Sequence, residues 1–297
     1  MAYGRRMRRR GVPAALFAVL LAGGTACDSG GEPEGKASPD ASRSAGTKGD
    51  AAPTPAPTPE ADPDKVPRTA AQARRLIEDV IIEPEQFGAD TVRATPYESD
   101  PARWTVLAED CAWRTEELPD DVLATLTRYF EIPAKDGAEP VELSATVTVH
   151  RTTLDAAWEQ ARMLEEAVGC PEQTLRAGER LTGLTSMALA RGEGANETSD
   201  DSLSERGECV SDGKGGPYPY SWDQSTFGPV VVGVSVCAGA KAPEGDVTGI
   251  SVEPLVTMMQ RAQGAVGSED GDEGGAGGED AGGSADAGGS AGVKEGE

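Results

Sequence analysis

Histidine is almost missing from this chain: His150 is the only one in 297 residues. Catalysis by a Ser-His-Asp or Cys-His group would have to use it. A zinc site would have no second imidazole, and no CxxC pair stands in for one. Between residues 68 and 263 there is no Gly-x-Ser-x-Gly. Basic residues are also scarce, 27 against 51 acids, for a net charge of −24. Such a chain repels nucleic acid and gains nothing from anionic lipid headgroups. Aromatics make up 4% and apolar residues 37%, low for one evenly folded domain. The shortage lies at both ends, where complexity is low, and leaves residues 68–263 for a core of ordinary domain length.

What is present begins with an export signal. Arg5, Arg6, Arg8, Arg9 and Arg10 precede an apolar stretch from Val12 to Ala22, too short to span a bilayer. Leu20-Leu21-Ala22-Gly23-Gly24-Thr25-Ala26-Cys27 then resembles a bacterial lipobox, at whose cysteine lipid is attached before cleavage. The pattern departs from it at Gly24, where an aliphatic residue is usual. A plain cleavable signal ending before Cys27 is the alternative. The arginine pairs lack the apolar residues that should follow them in a twin-arginine signal. The expectation is a signal peptide over 1–26 and a mature chain starting at Cys27. Acyl chains such as palmitate would tether it to the outer face of the cell membrane.

Residues 27–67 form a Pro/Ser/Gly spacer. The alternating prolines of Ala52 to Pro59 favour extended polyproline II and exclude helix. From Gly264 the chain is mostly Gly, Ala, Ser, Asp and Glu, so 264–297 is expected to be a disordered acidic tail. Its carboxylates lack the spacing of a Ca²⁺ loop.

Between them, Thr69 to Gln72 is a capping box, and Ala70, Ala73, Leu76, Ile77 and Val80 recur at helical spacing up to Pro84. Trp104 to Leu107 predicts a short strand. Asp120 to Phe130 predicts a helix or turn, since Val122, Leu123, Leu126 and Phe130 share a helical face. Val141 to His150 alternates apolar and polar and predicts a strand with one wet face. Asp155 to Gly169 predicts a helix with Leu154, Ala157, Trp158, Ala161, Leu164 and Val168 along its core side. Leu181 to Ala190 predicts a strand, 192–207 a loop, Gly207 to Val210 a strand edge, and 213–219 a Gly/Pro/Tyr loop. Pro229 to Cys237 is β-branched and apolar enough for a central strand. Ser251 caps a closing helix with Pro254 in its first turn. Helices on an antiparallel sheet make the fold class α+β.

Setting Cys27 aside leaves Cys111, Cys170, Cys209 and Cys237, and an even number in an exported domain implies two disulfides. Three connectivities are possible. Cys111–Cys170 with Cys209–Cys237 is expected, because each bridge then staples a helix or loop to nearby structure.

The span 69–263 resembles the extracellular sensor domain of a mycobacterial Ser/Thr protein kinase and related actinobacterial lipoproteins. Four pieces carry the resemblance. Arg74 to Val80 runs into Phe87-Gly88; Val147 to Val168 ends at Cys170; a late apolar strand carries Cys237; a short helix closes the domain. The resemblance implies a two-disulfide α+β domain with a cleft for an unidentified ligand. This chain carries no kinase domain, so no signalling through a fused kinase is expected.

No catalytic residue, metal or cofactor is assigned. His150 stands beside Arg151 and is expected to be a surface or strand-end residue. Gly192-Glu193-Gly194 and Gly213-Lys214-Gly215-Gly216 are followed by no helix-forming sequence, so they read as turns rather than phosphate loops. Glu116-Glu117 and Asp120-Asp121 read as solvated acids rather than an acid–base pair. Tyr218, Tyr220 and Trp222 are the candidate ligand-binding residues, because aromatics on a loop can line a site for sugar or peptide. The same three could instead cover the Cys209–Cys237 bridge. The expected function is a non-catalytic, sensor-like lipoprotein that binds a small molecule, glycan or envelope protein. An envelope hydrolase using carboxylates and a scaffolding lipoprotein are the alternatives. Two buried carboxylates with raised pKa converging in a cleft would favour the hydrolase; an aromatic pocket would favour binding; a convex surface would favour the scaffold.

Overall fold

The computed structural model describes residues 59–134, 139–194, 196–239 and 246–268. The signal, Cys27, most of the spacer and the acidic tail beyond 268 lie outside the described residues.

Among the described residues, ten strands and three α-helices follow in the order α1 (Ala70–Val80), β1 (Val92–Glu98), β2 (Arg103–Leu107), β3 (Trp113–Glu117), β4 (Val122–Ile132), β5 (Val141–His150), α2 (Thr153–Gly169), β6 (Gln173–Arg176), β7 (Glu179–Ala190), β8 (Asp201–Ser211), β9 (Gly215–Phe227), β10 (Val230–Cys237) and α3 (Asp246–Val266). Eight strands form one curled antiparallel sheet, ordered β1-β4-β5-β10-β9-β8-β7-β6, and β2-β3 is a separate hairpin. The class is α+β with two disulfides, Cys111–Cys170 and Cys209–Cys237.

The period-two alternation of β5 and β10 sorts their side chains into two faces. Val230, Val232, Val234 and Val236 of β10 stand opposite Val149, Val147, Ala145 and Leu143 of β5. All eight are buried against Ile77 and Val80 of α1 and Met258 and Ala262 of α3. This is the main core. Helix α1 starts where the Thr69 side chain accepts from the Gln72 amide, and its last carbonyls, of Val80 and Ile81, accept from Arg261 of α3.

The other face carries Ser144, Thr146 and Thr148 of β5, bonded sideways to neighbouring strands. Ser144 and Ser235 hydroxyls lie 2.6 Å apart, and Thr125–Thr148 and Thr127–Thr146 each 2.9 Å apart. The face expected to be wet is thus hydroxyl-lined and in part buried beneath α2.

Several elements differ from the sequence reading, each for a tertiary reason. Residues 122–132 are strand rather than helix, because β4 is hydrogen-bonded between β1 and β5. Strand β8 takes in residues 201–206, polar in sequence because β7 and β9 flank it on both sides. Strand β9 starts at Gly215, inside the expected loop. Helix α3 starts at Asp246, so Ser251 and Pro254 fall within it. Ser251 is buried there and donates to Asp223 Oδ2 of β9 at 2.6 Å. The described chain starts ahead of α1, and its ends meet: Ala61 bridges Gly267, and the Ser268 amide donates to the Glu60 carbonyl.

Candidate functional site

Curling brings the two edges of the sheet toward each other. Strands β8 and β10 are separated by β9, which in a flat sheet would put them about 9.6 Å apart at about 4.8 Å per strand. The Cα atoms of Cys209 and Cys237 are only 6.0 Å apart. The bridge therefore spans β9 where the sheet is curled.

A cavity of about 390 Å³ opens beside it, the size of a small-ligand pocket. Its lining includes Ala94 to Pro96 of β1 and Leu175 and Arg176 of β6, from opposite edges. The disulfide and Tyr129, Tyr218 and Tyr220 form part of its wall, with the Ser144–Ser235 hydroxyl pair alongside. Tyr129 and Leu175 are each 38% exposed, apolar surface open to the cavity. Tyr218 donates its hydroxyl to the Lys214 carbonyl at 3.0 Å, which fixes its ring. Burial raises the Tyr129 phenol above its usual range, against a lowering by Arg176 across the cavity. At the rim Arg176 pairs with Glu179 at 2.7 Å, and Lys214 pairs with Glu142. A second cavity, about 470 Å³, lies beside residues 61–68 and has no aromatic or acidic lining.

Of the three aromatics singled out in the sequence, Tyr218 and Tyr220 line the cavity. They also pack on the small cluster of Leu181, Leu184 and Cys209, so they both cover the bridge and face the opening. Trp222 is not in the lining. It lies flat over Gly233, where a Cβ would come within 2.7 Å of its ring, and donates to Gln224 Oε1 at 3.3 Å. Tyr129 was hidden in the sequence because its segment mimics a helical face. The signal that could have found it is the alternation of Thr125, Thr127 and Tyr129 on a strand.

Two carboxylates stand apart from this cavity. Glu205 of β8 lies opposite Trp222 and Ser186, only 6% exposed. Burial, then the nearby Glu166 of α2, push its carboxyl up to about 7. Burial raises Glu166 too, and Glu159 adds to it. Neither residue lines the aromatic cavity. Burial and neighbouring Glu205 likewise raise the Tyr220 phenol.

His150 is the last residue of β5, the strand end that was expected, and it is not at the surface. It is fully buried, its Nε2 lies 2.5 Å from Glu159 Oε2, and Trp104 packs edge-on at 6.4 Å. The helix that follows folds back over the strand end and covers it. Trp158, expected in the core, is 58% exposed. Among the described residues no group of three or more His, Cys, Asp or Glu could hold a metal, and no helix is long and apolar enough to cross a membrane. No family model and no curated protein matches this chain.

Proposed function

We propose that this chain is a membrane-anchored extracytoplasmic lipoprotein whose folded domain is a non-catalytic, sensor-like ligand binder. The two disulfides support an oxidising compartment, and the lipobox-like run ending at Cys27 supports the anchor. The observation that carries the binding reading is the tyrosine-walled cavity between the sheet edges. Aromatic faces beside hydroxyls and ion-paired rim charges suit a ligand that is apolar on one side and polar on the other, a sugar ring of an envelope glycan or a small molecule of that kind.

Mass spectrometry of small molecules co-purified with the exported protein tests this. A retained compound lost in Tyr218→Ala and Tyr129→Ala supports it, and an empty cavity in protein from its own envelope refutes it. Metabolic labelling with a fatty-acid analogue tests the anchor. The wild type takes the label, and label kept by Cys27→Ala refutes lipidation.

One observation favours the hydrolase reading, the raised pair Glu205 and Glu166. General acid–base work needs such a group within hydrogen-bond reach of substrate, and the cavity wall does not include them. Glycan-cleaving activity abolished by Glu205→Gln would reverse the order of the two readings.

A further inference from the structure

The charged residues that line the tyrosine-walled cavity are sorted by sign. Arg176 comes from β6, Arg180 from β7, and Lys214 from the turn between β8 and β9. Glu131 comes from β4, Glu142 from β5, and Glu139 from the segment leading into β5. The bases thus belong to one half of the curled sheet and these acids to the other, and both halves contribute to the cavity wall. Glu179 of β7 is the exception among the lining carboxylates, and it is bound to Arg176 at 2.7 Å.

Neither set is fully neutralised. Glu131 and Glu142 stand directly opposite each other in the β4–β5 ladder. Side chains so placed have Cβ atoms about 4.5–5.5 Å apart, and like charges there repel. Lys214 reaches over from the other half and pairs with Glu142. Among the described residues, the side chains of Glu131, Glu139 and Arg180 make no ion pair or hydrogen bond. Arg180 stands opposite Thr174 and Val210, neither of them charged. The acidic half therefore lacks a cation, and the basic half lacks an anion.

The two sets are also close together. The Lys214–Glu142 pair joins them directly at the cavity wall. Arg176 lies near enough to Tyr129 of β4 to lower its phenol against the effect of burial. The other lining includes apolar surface from Tyr129, Leu175 and Tyr218. A ligand with an apolar body and opposite charges at its ends would satisfy all three surfaces. A neutral sugar would use the rings and leave the sorted charges unmatched. A ligand of one sign would suit one half and be repelled by the other.

We propose that the cavity takes a zwitterion with an apolar body, namely a short peptide with both ends free. Its carboxylate meets Arg180, whose planar guanidinium suits a bidentate contact. Its ammonium meets Glu131 and Glu139, and its side chains lie against Tyr129 and Tyr218. A cavity of about 390 Å³ is near the low end for small-ligand sites, so a dipeptide fits better than a longer chain. The assignment rests on the cavity being a binding site and adds the chemistry that the site selects.

Titration calorimetry on the whole exported protein tests it with leucyl-leucine, leucyl-phenylalanine and alanyl-tyrosine. Each peptide is also run in its N-acetyl, C-amide and doubly blocked forms. Free peptide is expected to bind, and blocking either end to weaken binding about tenfold or more, the worth of one charge-assisted hydrogen bond. Arg180→Gln should erase most of the preference for a free carboxylate and keep the preference for a free ammonium. Glu131→Gln combined with Glu139→Gln should do the converse. Should that double variant fail to fold, Arg180→Gln decides alone. Equal binding of free and doubly blocked peptides overturns the proposal, and so do variants in which neither preference changes. Failure of all three free peptides to bind overturns it as well. N-acetylglucosamine, titrated alongside, separates the two levels: if it binds where no peptide does, the zwitterion falls and the cavity remains a binding site.

Discussion

The two faces of the sheet are held in opposite ways. Toward α1 and α3, Val230, Val232, Val234 and Val236 of β10 and the odd-numbered positions of β5 make a dry, interlocked core. Toward α2, the same two strands show hydroxyls, a histidine and a glycine beside Val231, and the next strands add Gln224 and Glu205 beside Leu203. One face is fixed by area removed from water, at about 25 cal/mol per Å². The other is fixed by paired polar groups, worth about 1 kcal/mol each where satisfied and costly where not. A fold can thus be rigid on one side of a sheet and adjustable on the other, with one set of strands serving both.

Mutation and pH can sharpen that contrast. Phe130→Ala, on the dry face where the ring packs 5.0 Å from Phe87 and 5.7 Å from Tyr97, should cost about 3–5 kcal/mol in urea unfolding. A loss below about 1 kcal/mol would mean the contrast is overstated. On the polar face, pH is the stronger tool. The folded-state pKa of Glu205 is raised from 4.5 to about 7, so the folded form binds the proton more tightly than the unfolded one. Stability from this group is full below about pH 4.5 and is lost as pH rises through about 7, a change of about 3 kcal/mol. Urea midpoints of wild type and Glu205→Gln should diverge across that window, and parallel curves would remove Glu205 from the account.

Ser251→Ala tests the polar contact that docks α3. It removes the hydroxyl on Asp223, whose other oxygen keeps Ser204 at 2.7 Å and Arg206 at 2.9 Å. About 1 kcal/mol is expected, read as a shifted denaturant midpoint with unchanged slope. The smallest effect belongs to the outward stripe. Trp158→Ser should change stability by less than about 0.5 kcal/mol despite removing a tryptophan. A loss of several kcal/mol would show that the stripe is covered.

Much of the dry face was legible in the sequence. The alternation in Val141 to His150, the β-branched run at 230–236 and the 3.6-residue rhythm of 70–80 each have one solution, because a continuous apolar stripe must be buried. The four cysteines were legible for a related reason: an even set of them behind a signal-like N-terminus pairs off. The polar face was not legible. The stripe Leu154-Trp158-Val168 has the period of a core helix, yet in α2 these three are exposed while Ala156, Gln160 and Ala167 are buried. His150 looked terminal until α2 folded back over it. Tyr218 and Tyr220 declared themselves by clustering. Tyr129 was masked by Val122, Leu126 and Phe130, whose spacing fits a helical face as well as a strand. Glu205 gave no local sign, since its surroundings include Trp222, Ser186 and Glu166 of α2, the last 39 positions away.

The short pairing of Ala61 with Gly267, flanked by bonds from Asp62 to Val266 and from Ser268 to Glu60, sets how the domain bears load. Chain enters and leaves at adjoining points, so a pull between the two would part that small clasp one bond at a time before any tension reached the valines. The same closeness makes this protein a candidate for rewiring. Residues 59 and 268 could be joined by a brief linker and the chain reopened at an exposed turn without asking any strand to change its neighbours.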